Sequence, residues 1–267
     1  MSTMKNRINR SVVLAFLLQV QLLFAQTPVD VSDHFILKND KVSFEFEAVN
    51  MGLSSMKDLT AGHEHINSVD GKHLLWEVAF AKGRQIYTIT NNYKPCSYAS
   101  VEKLPNGITR AVMEWNRLRW WEEDDAVSVT VIVELPKDEG IAQWRIFVEN
   151  NSDYWGLWSV LFPIVNGFPE SGKYDIARPS FARGGELITG CDQKISGRYP
   201  GSTWPMQMVS FDAGGKSVYL AGMDGTARAK DFVIEPVEGL ESQRYPIIFM
   251  GRRHRKFDPE PGERLYI

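Results

Sequence analysis

Val127, Val129, Val131 and Val133 occupy every second position of a ten-residue run, 126–135, with Ser128, Thr130, Ile132 and Glu134 between them. A strand places such positions on one face, whereas a helix scatters them around its axis, and β-branched side chains suit the pleated surface. Residues 108–119 form a second run of the same kind just upstream. Trp120, Trp121, Glu122, Glu123, Asp124 and Asp125 separate the two, so the sequence predicts a long hairpin with an aromatic and acidic tip.

The same period recurs along the chain. Phe35-Ile36-Leu37-Lys38, a turn at Asn39-Asp40, and 42–46 predict an opening hairpin, and 52–59, 74–81, 141–149 and 156–165 predict further strands. The pattern loosens from 166 to 199, which predicts a long irregular insertion; strands resume at 206–212 and 217–223, joined through Ala213-Gly214-Gly215-Lys216. Two more are expected in 226–235 and 246–251. No useful helical period occurs beyond the first 25 residues. A dozen or so strands, several apolar on both faces, predict an all-β fold, and two stacked sheets in an antiparallel β-sandwich fit better than a closed barrel.

Residues 1–25 have the layout of a signal peptide. Lys5, Arg7 and Arg10 form a basic start, 12–24 is apolar apart from Gln19 and Gln21, and Ala25 precedes a plausible cleavage point. The apolar run is shorter than the roughly 20 residues of a spanning helix, so export to a secreted or periplasmic location is expected, with no membrane attachment after cleavage. The mature chain would be 267 − 25 = 242 residues, and loss of three positive charges would move the formal charge from −3 to −6. The remaining basic run, Arg252, Arg253, Arg255 and Lys256, is too short to point to a nucleic-acid surface.

Cys96 and Cys191 are the only cysteines and have no CxxC spacing, so neither metal nor redox chemistry is expected of them. Export would permit a bridge, although two buried free thiols are the expected state. His63, His65 and His73 lie in one polar connection without the tight array and fourth ligand of a zinc site. The four carboxylates at 122–125 lack the spacing of a calcium loop and are expected to form a solvated tip that discourages edge pairing. No metal or cofactor is expected.

The Gly/Pro/aromatic loop around Tyr199-Pro200-Gly201-Ser202-Thr203-Trp204-Pro205 is the candidate for function, because it presents two large rings at the mouth of a hairpin. Tyr199 and Trp204 offer faces for a pyranose ring, and Gln207 and Asp224 offer hydrogen bonds to hydroxyls. Plugging the end of the sandwich is the competing role for the two rings. Gln207 equally suits a solvent-facing strand position, and Asp224, before Gly225, equally suits a turn.

The ordered phrases Phe35-x-Leu37-x-Asn39-x-x-Val42, Gly52-Leu53-x-x-x-x-Asp58, Leu75-Trp76, Phe162-Pro163, Tyr199-Pro200-Gly201, Met206-Gln207 and Tyr219-Leu220-x-x-x-Asp224 resemble the N-terminal β-sandwich that precedes a (β/α)8 barrel in large secreted bacterial glycoside hydrolases. In fold, such domains resemble the supersandwich of galactose mutarotase. The resemblance implies a carbohydrate partner and a C-terminal catalytic domain of the same polypeptide that carries the catalytic carboxylates. It therefore implies no catalytic residues here, and a chain ending on Leu265-Tyr266-Ile267 is expected to be part of a longer protein. Two alternatives remain open: a free-standing carbohydrate-binding module using Trp115, Trp120, Trp121 or Trp155, and a mutarotase-like sugar epimerase, which would need a histidine and a glutamate poised on the sugar.

Overall fold

The computed structural model describes residues 34–66, 73–168, 175–178, 186–189, 194–202, 204–213, 215–223, 228–234, 245–250 and 264–266. All regular structure among them is strand. In chain order these are β1 (His34–Lys38), β2 (Val42–Glu47), β3 (Leu53–Asp58), β4 (His63–Glu64), β5 (Glu77–Lys82), β6 (Gln85–Thr90), β7 (Tyr98–Lys103), β8 (Thr109–Trp120), β9 (Glu123–Leu135) and β10 (Gln143–Asn150). They continue with β11 (Gly156–Phe168), β12 (Asp175–Arg178), β13 (Glu186–Thr189), β14 (Ile195–Tyr199), β15 (Met208–Ala213), β16 (Lys216–Ala221), β17 (Lys230–Ile234), β18 (Tyr245–Met250) and β19 (Arg264–Tyr266).

Every pairing is antiparallel, and the strands form four sheets: β1-β2-β3-β4, β19-β10-β9-β8-β7, β14-β17-β18-β11-β5-β6 and β13-β12-β15-β16. The valine face of β9 is fully buried, together with Ala111, Met113 and Trp115 of β8. Opposite it lies the six-stranded sheet, joined to this face by Trp76 against Trp115 (5.2 Å, 84°), Phe80 against Trp120 (5.9 Å) and Trp144 against Phe162 (6.4 Å). Phe44 and Phe46 bring the first sheet onto Trp144, and Phe168 stacks on Phe211 to bring in the last. The expected sandwich is thus present, with aromatic pairs, some edge-to-face and others tilted or stacked, among its inter-sheet contacts.

Glu134 lies on the other face of β9, where it accepts hydrogen bonds from Arg110 Nε and Nη2 (2.8 and 2.6 Å) and from Arg145 Nη1 (2.8 Å). Burial acts to raise the Glu134 carboxyl, but these two guanidinium groups outweigh it and hold the group below its ordinary value. Central strand β11 accommodates Pro163 where its register with β18 shifts, between Leu161 and Ile164; an irregularity of that kind is where a strand tolerates a residue without an N–H.

Three sequence expectations change. Residues 166–199 contain β12, β13 and β14 rather than only irregular chain. Runs of four or five residues flanked by Pro179, Gly184, Gly185 and Gly190 are too short for a period-two signal to emerge. The strands β6 and β7 were likewise not expected. The acidic tip is shorter than predicted, because Glu123, Asp124 and Asp125 belong to β9 and only Trp121 and Glu122 form the turn. Asp125 and Asp124 pair with Arg117 and Arg119 of β8 at 3.7 and 3.4 Å, so this hairpin end is ion-paired across its strands.

Candidate functional site

β14 enters the candidate loop clamped to β17. Arg198 Nε and Nη2 donate to the two carboxylate oxygens of Asp231 at 2.7 and 2.9 Å, and Asp231 raises the guanidinium above its ordinary value. One residue on, Tyr199 is the register partner of Lys230. The chain then turns at Gly201, where a Cβ would lie 2.4 Å from the backbone oxygen of Arg198, so a side chain has no room. Gly201 and Trp204 exchange backbone hydrogen bonds at 3.3 Å each.

Trp204 does not present a face to a ligand. It is 0% exposed, its ring stacks on Phe232 (5.0 Å, 3°), and its Nε1–H donates to Met208 O at 2.9 Å. An indole in a Gly/Pro-rich loop reads from sequence as a loop ring, but here its apolar area goes to closing the core. Trp204 is therefore a packing residue, in line with the competing role weighed above.

Tyr199 and Gln207 are half-buried and converge with Lys230 around Gly222. Gly222 N donates to Gln207 O at 2.7 Å, and a Cβ on Gly222 would fall 2.8 Å from Gln207 Oε1 and 3.5 Å from Lys230 Cδ. Lys230 is a buried cation whose Nζ donates to Arg228 O at 3.2 Å and lies 6.0 Å from the centre of the Tyr199 ring. Sequence analysis overlooked Lys230: ahead of Phe232-Val233-Ile234 it looks like an ordinary charged strand end, and its place beside Tyr199 is set by long-range register. Lys230 and the Gln207 Oε1 are buried, so the half-buried Tyr199 ring is what this cluster brings towards the surface. Asp224 lies outside the described residues.

The remaining candidates sort clearly by burial. Trp115, Trp120 and Trp155 are buried, whereas Trp121 is 53% exposed. His63 and His65 meet edge to face at 4.7 Å, and burial, then the charge of His63, lowers the His65 pKa. His73 lies across from Glu47, with Nε2 3.6 Å from Oε1. Glu64, between the first two histidines, is engaged by Ser55 Oγ and Met56 N. Among the described residues no three His, Cys, Asp or Glu side chains are grouped to hold a metal ion. Cys96 is a free thiol that donates to Tyr98 O (3.0 Å), and burial pushes its pKa up to about 11; Cys191 lies outside the described residues.

No family model matches the sequence. A putative aldose 1-epimerase from Escherichia coli K12 is similar in structure, with a TM-score of 0.57 at 11% identity over 87% of this chain and 96% of that one. A galactose mutarotase related enzyme from Lactobacillus acidophilus gives 0.53 at 12% identity over 87% and 94%. The fold is galactose mutarotase-like. The same mutarotase-like fold matches the galactosidase domain of an alpha-galactosidase-sucrose kinase, with a TM-score of 0.55 at 8% identity over 88% of this chain but 39% of that one. In sequence, a putative glycoside hydrolase from Bacteroides thetaiotaomicron is 24% identical over 208 residues, which is 77% of this chain. The chain spans 30% of that relative's length.

Proposed function

We propose that this chain is the β-sandwich module of an exported glycoside hydrolase, non-catalytic by itself and working beside a C-terminal catalytic domain of the same polypeptide. The observation that carries the proposal is the partial match to a much longer putative glycoside hydrolase, which takes in most of this chain. The galactosidase-domain neighbour, matched over 39% of its length, supports the use of this fold as one part of a larger carbohydrate enzyme. Glycoside hydrolysis needs two carboxyl groups facing each other across one bond. The loop at Tyr199 instead offers a half-buried ring beside the buried Lys230, which fits holding a sugar or bracing the neighbouring domain; Asp224 follows close behind in the sequence.

A second possibility, a mutarotase-like epimerase, is favoured by one observation: the mutarotase-like neighbours are matched over 94% and 96% of their own length. Two assays on the purified chain separate them. Hydrolysis of a panel of aryl glycosides and polarimetric mutarotation of α-D-galactose and α-D-glucose are both expected to stay at the uncatalysed rate. Enzyme-like glycoside cleavage would overturn the non-catalytic role, and accelerated mutarotation would put the epimerase in its place.

A further inference from the structure

The end of the sandwich formed by the β8–β9 turn carries an aromatic group that the Tyr199 mouth does not involve. Trp120 pairs with Glu123, leaving Trp121 and Glu122 as a two-residue loop, and Trp121 has φ +56°. Positive φ at the first loop position alone is the pattern of a II′ turn, where glycine is the unstrained choice. Tryptophan is strained there, and Arg117 and Asp125 of the same hairpin end share the positive φ, so this tip is held in an unusual backbone shape.

The Trp121 ring is exposed but firmly backed. It stacks on Trp155 (5.9 Å, 17°) and meets the edge of Tyr87 at 5.1 Å, while Tyr87 also braces Trp155 at 5.2 Å. Trp155 is fixed in turn: its N–H donates to Ser152 Oγ (2.8 Å) and its carbonyl accepts from Asn150 Nδ2 (2.7 Å). Glu123, at the start of β9, accepts from Ser152 Oγ and from Asp153 N (3.0 Å), which ties the β10–β11 turn to the β8–β9 hairpin. Tyr154, 61% exposed, stands next to Trp155 with Lys82 Nζ 3.3 Å from its ring centre.

We propose that Trp121, backed by Trp155 and Tyr87, is a stacking platform for the pyranose rings of a neutral glycan. The C–H face of a pyranose packs on an indole face, and a ring already held in place binds with little ordering cost. The rim decides the class of ligand. Asp124 is paired with Arg119, which leaves exposed Glu122, next to Trp121 in the turn, to accept hydrogen bonds from hydroxyls and to disfavour carboxylated or sulfated sugars. The same charges break up the apolar surface that a protein partner would need. This platform rests on the carbohydrate role proposed above and adds a second contact point to it.

The test is affinity electrophoresis of the full chain through gels containing hydroxyethylcellulose, arabinoxylan, galactomannan, pullulan or yeast mannan, with polygalacturonate as the acidic control. At least one neutral gel is expected to retard the chain. Trp121→Gly, which relieves the turn as it removes the ring, is expected to melt within about 4 °C of the parent yet to bind about tenfold more weakly. Trp121→Tyr keeps a ring and is expected to retain part of the retardation, which separates ring loss from misfolding. Retardation that survives Trp121→Gly overturns the platform while leaving a carbohydrate role located elsewhere. No retardation in any neutral gel, or retardation by polygalacturonate alone, also overturns it, and the hydrolysis and mutarotation assays still decide the parent proposal. Self-association that disappears in Trp121→Gly, without glycan retardation, would make the patch a protein contact instead.

Discussion

Replacing Asn91 with alanine tests whether one buried amide holds three segments of the fold together. Asn91 follows β6 and is 0% exposed. Its Oδ1 accepts from Leu75 N at 2.8 Å, and its Nδ2 donates to Asn50 O and His73 O at 3.1 Å each. The approach to β3 and the approach to β5 are thus both fastened to the end of β6. They also pass so closely that a Cβ on Gly52 would lie 2.1 Å from His73 O. Alanine leaves the Leu75 N–H and the His73 carbonyl buried without this partner, and the Asn50 carbonyl partly so. At about 1–3 kcal/mol for each orphaned buried group, the expected loss is about 3–5 kcal/mol, a large part of the roughly 5–15 kcal/mol typical of a folded domain. Urea unfolding followed by tryptophan fluorescence should show a lower midpoint with an unchanged slope, and the melting temperature should fall by about 6–20 °C. A loss below about 1 kcal/mol would refute the reasoning, since it would mean that the three backbone groups readily find other partners.

Two further outcomes follow from the ionisable groups. Glu134 is held below its ordinary value of 4.5, so its contribution to stability is present above that pH and is lost as the pH falls through the lower folded-state value. Glu134→Gln should therefore be less stable than the parent at pH 7, and the difference should shrink as urea midpoints are measured towards pH 3. For Cys96, whose pKa is pushed up to about 11, the reactive thiolate is scarce at pH 8. In a Cys191→Ser background, labelling by iodoacetamide should be slow in the folded chain and fast in urea, and equal rates would contradict the raised pKa of this half-buried thiol.

The fold was legible wherever apolar alternation ran long enough to exceed noise. The valines of β9 and the facing residues of β8 specify strand, face and pairing together, and Phe35 to Phe46 specify the first hairpin. Short strands lacked that length, which is why β12, β13 and β14 went unseen. The candidate site was legible only in part, because a ring in a Gly/Pro loop looks the same in sequence whether it faces water or the core. Trp204 and Trp121 make the contrast: the one in the conspicuous loop is buried on Phe232, and the one beside four carboxylates stands exposed. Lys230 joined Tyr199 through a strand pairing across some thirty residues, a relation that no local spacing records.

The position of β11 has a consequence for synthesis on the ribosome. Its two sheet neighbours are β5, made long before it, and β18, which begins 245 − 168 = 77 residues after β11 ends. The β8–β9–β10 meander can form as it emerges, because each strand meets its partner across a short turn. β11 can pair at once with β5, but its other edge remains an open row of backbone donors and acceptors until residues 245–250 arrive. During that interval the nascent chain exposes a long, apolar strand edge of the kind that pairs with other molecules. The passage from 169 to 244 is thus also a delay, and a chain held up within it would carry β11 with one edge still unpaired.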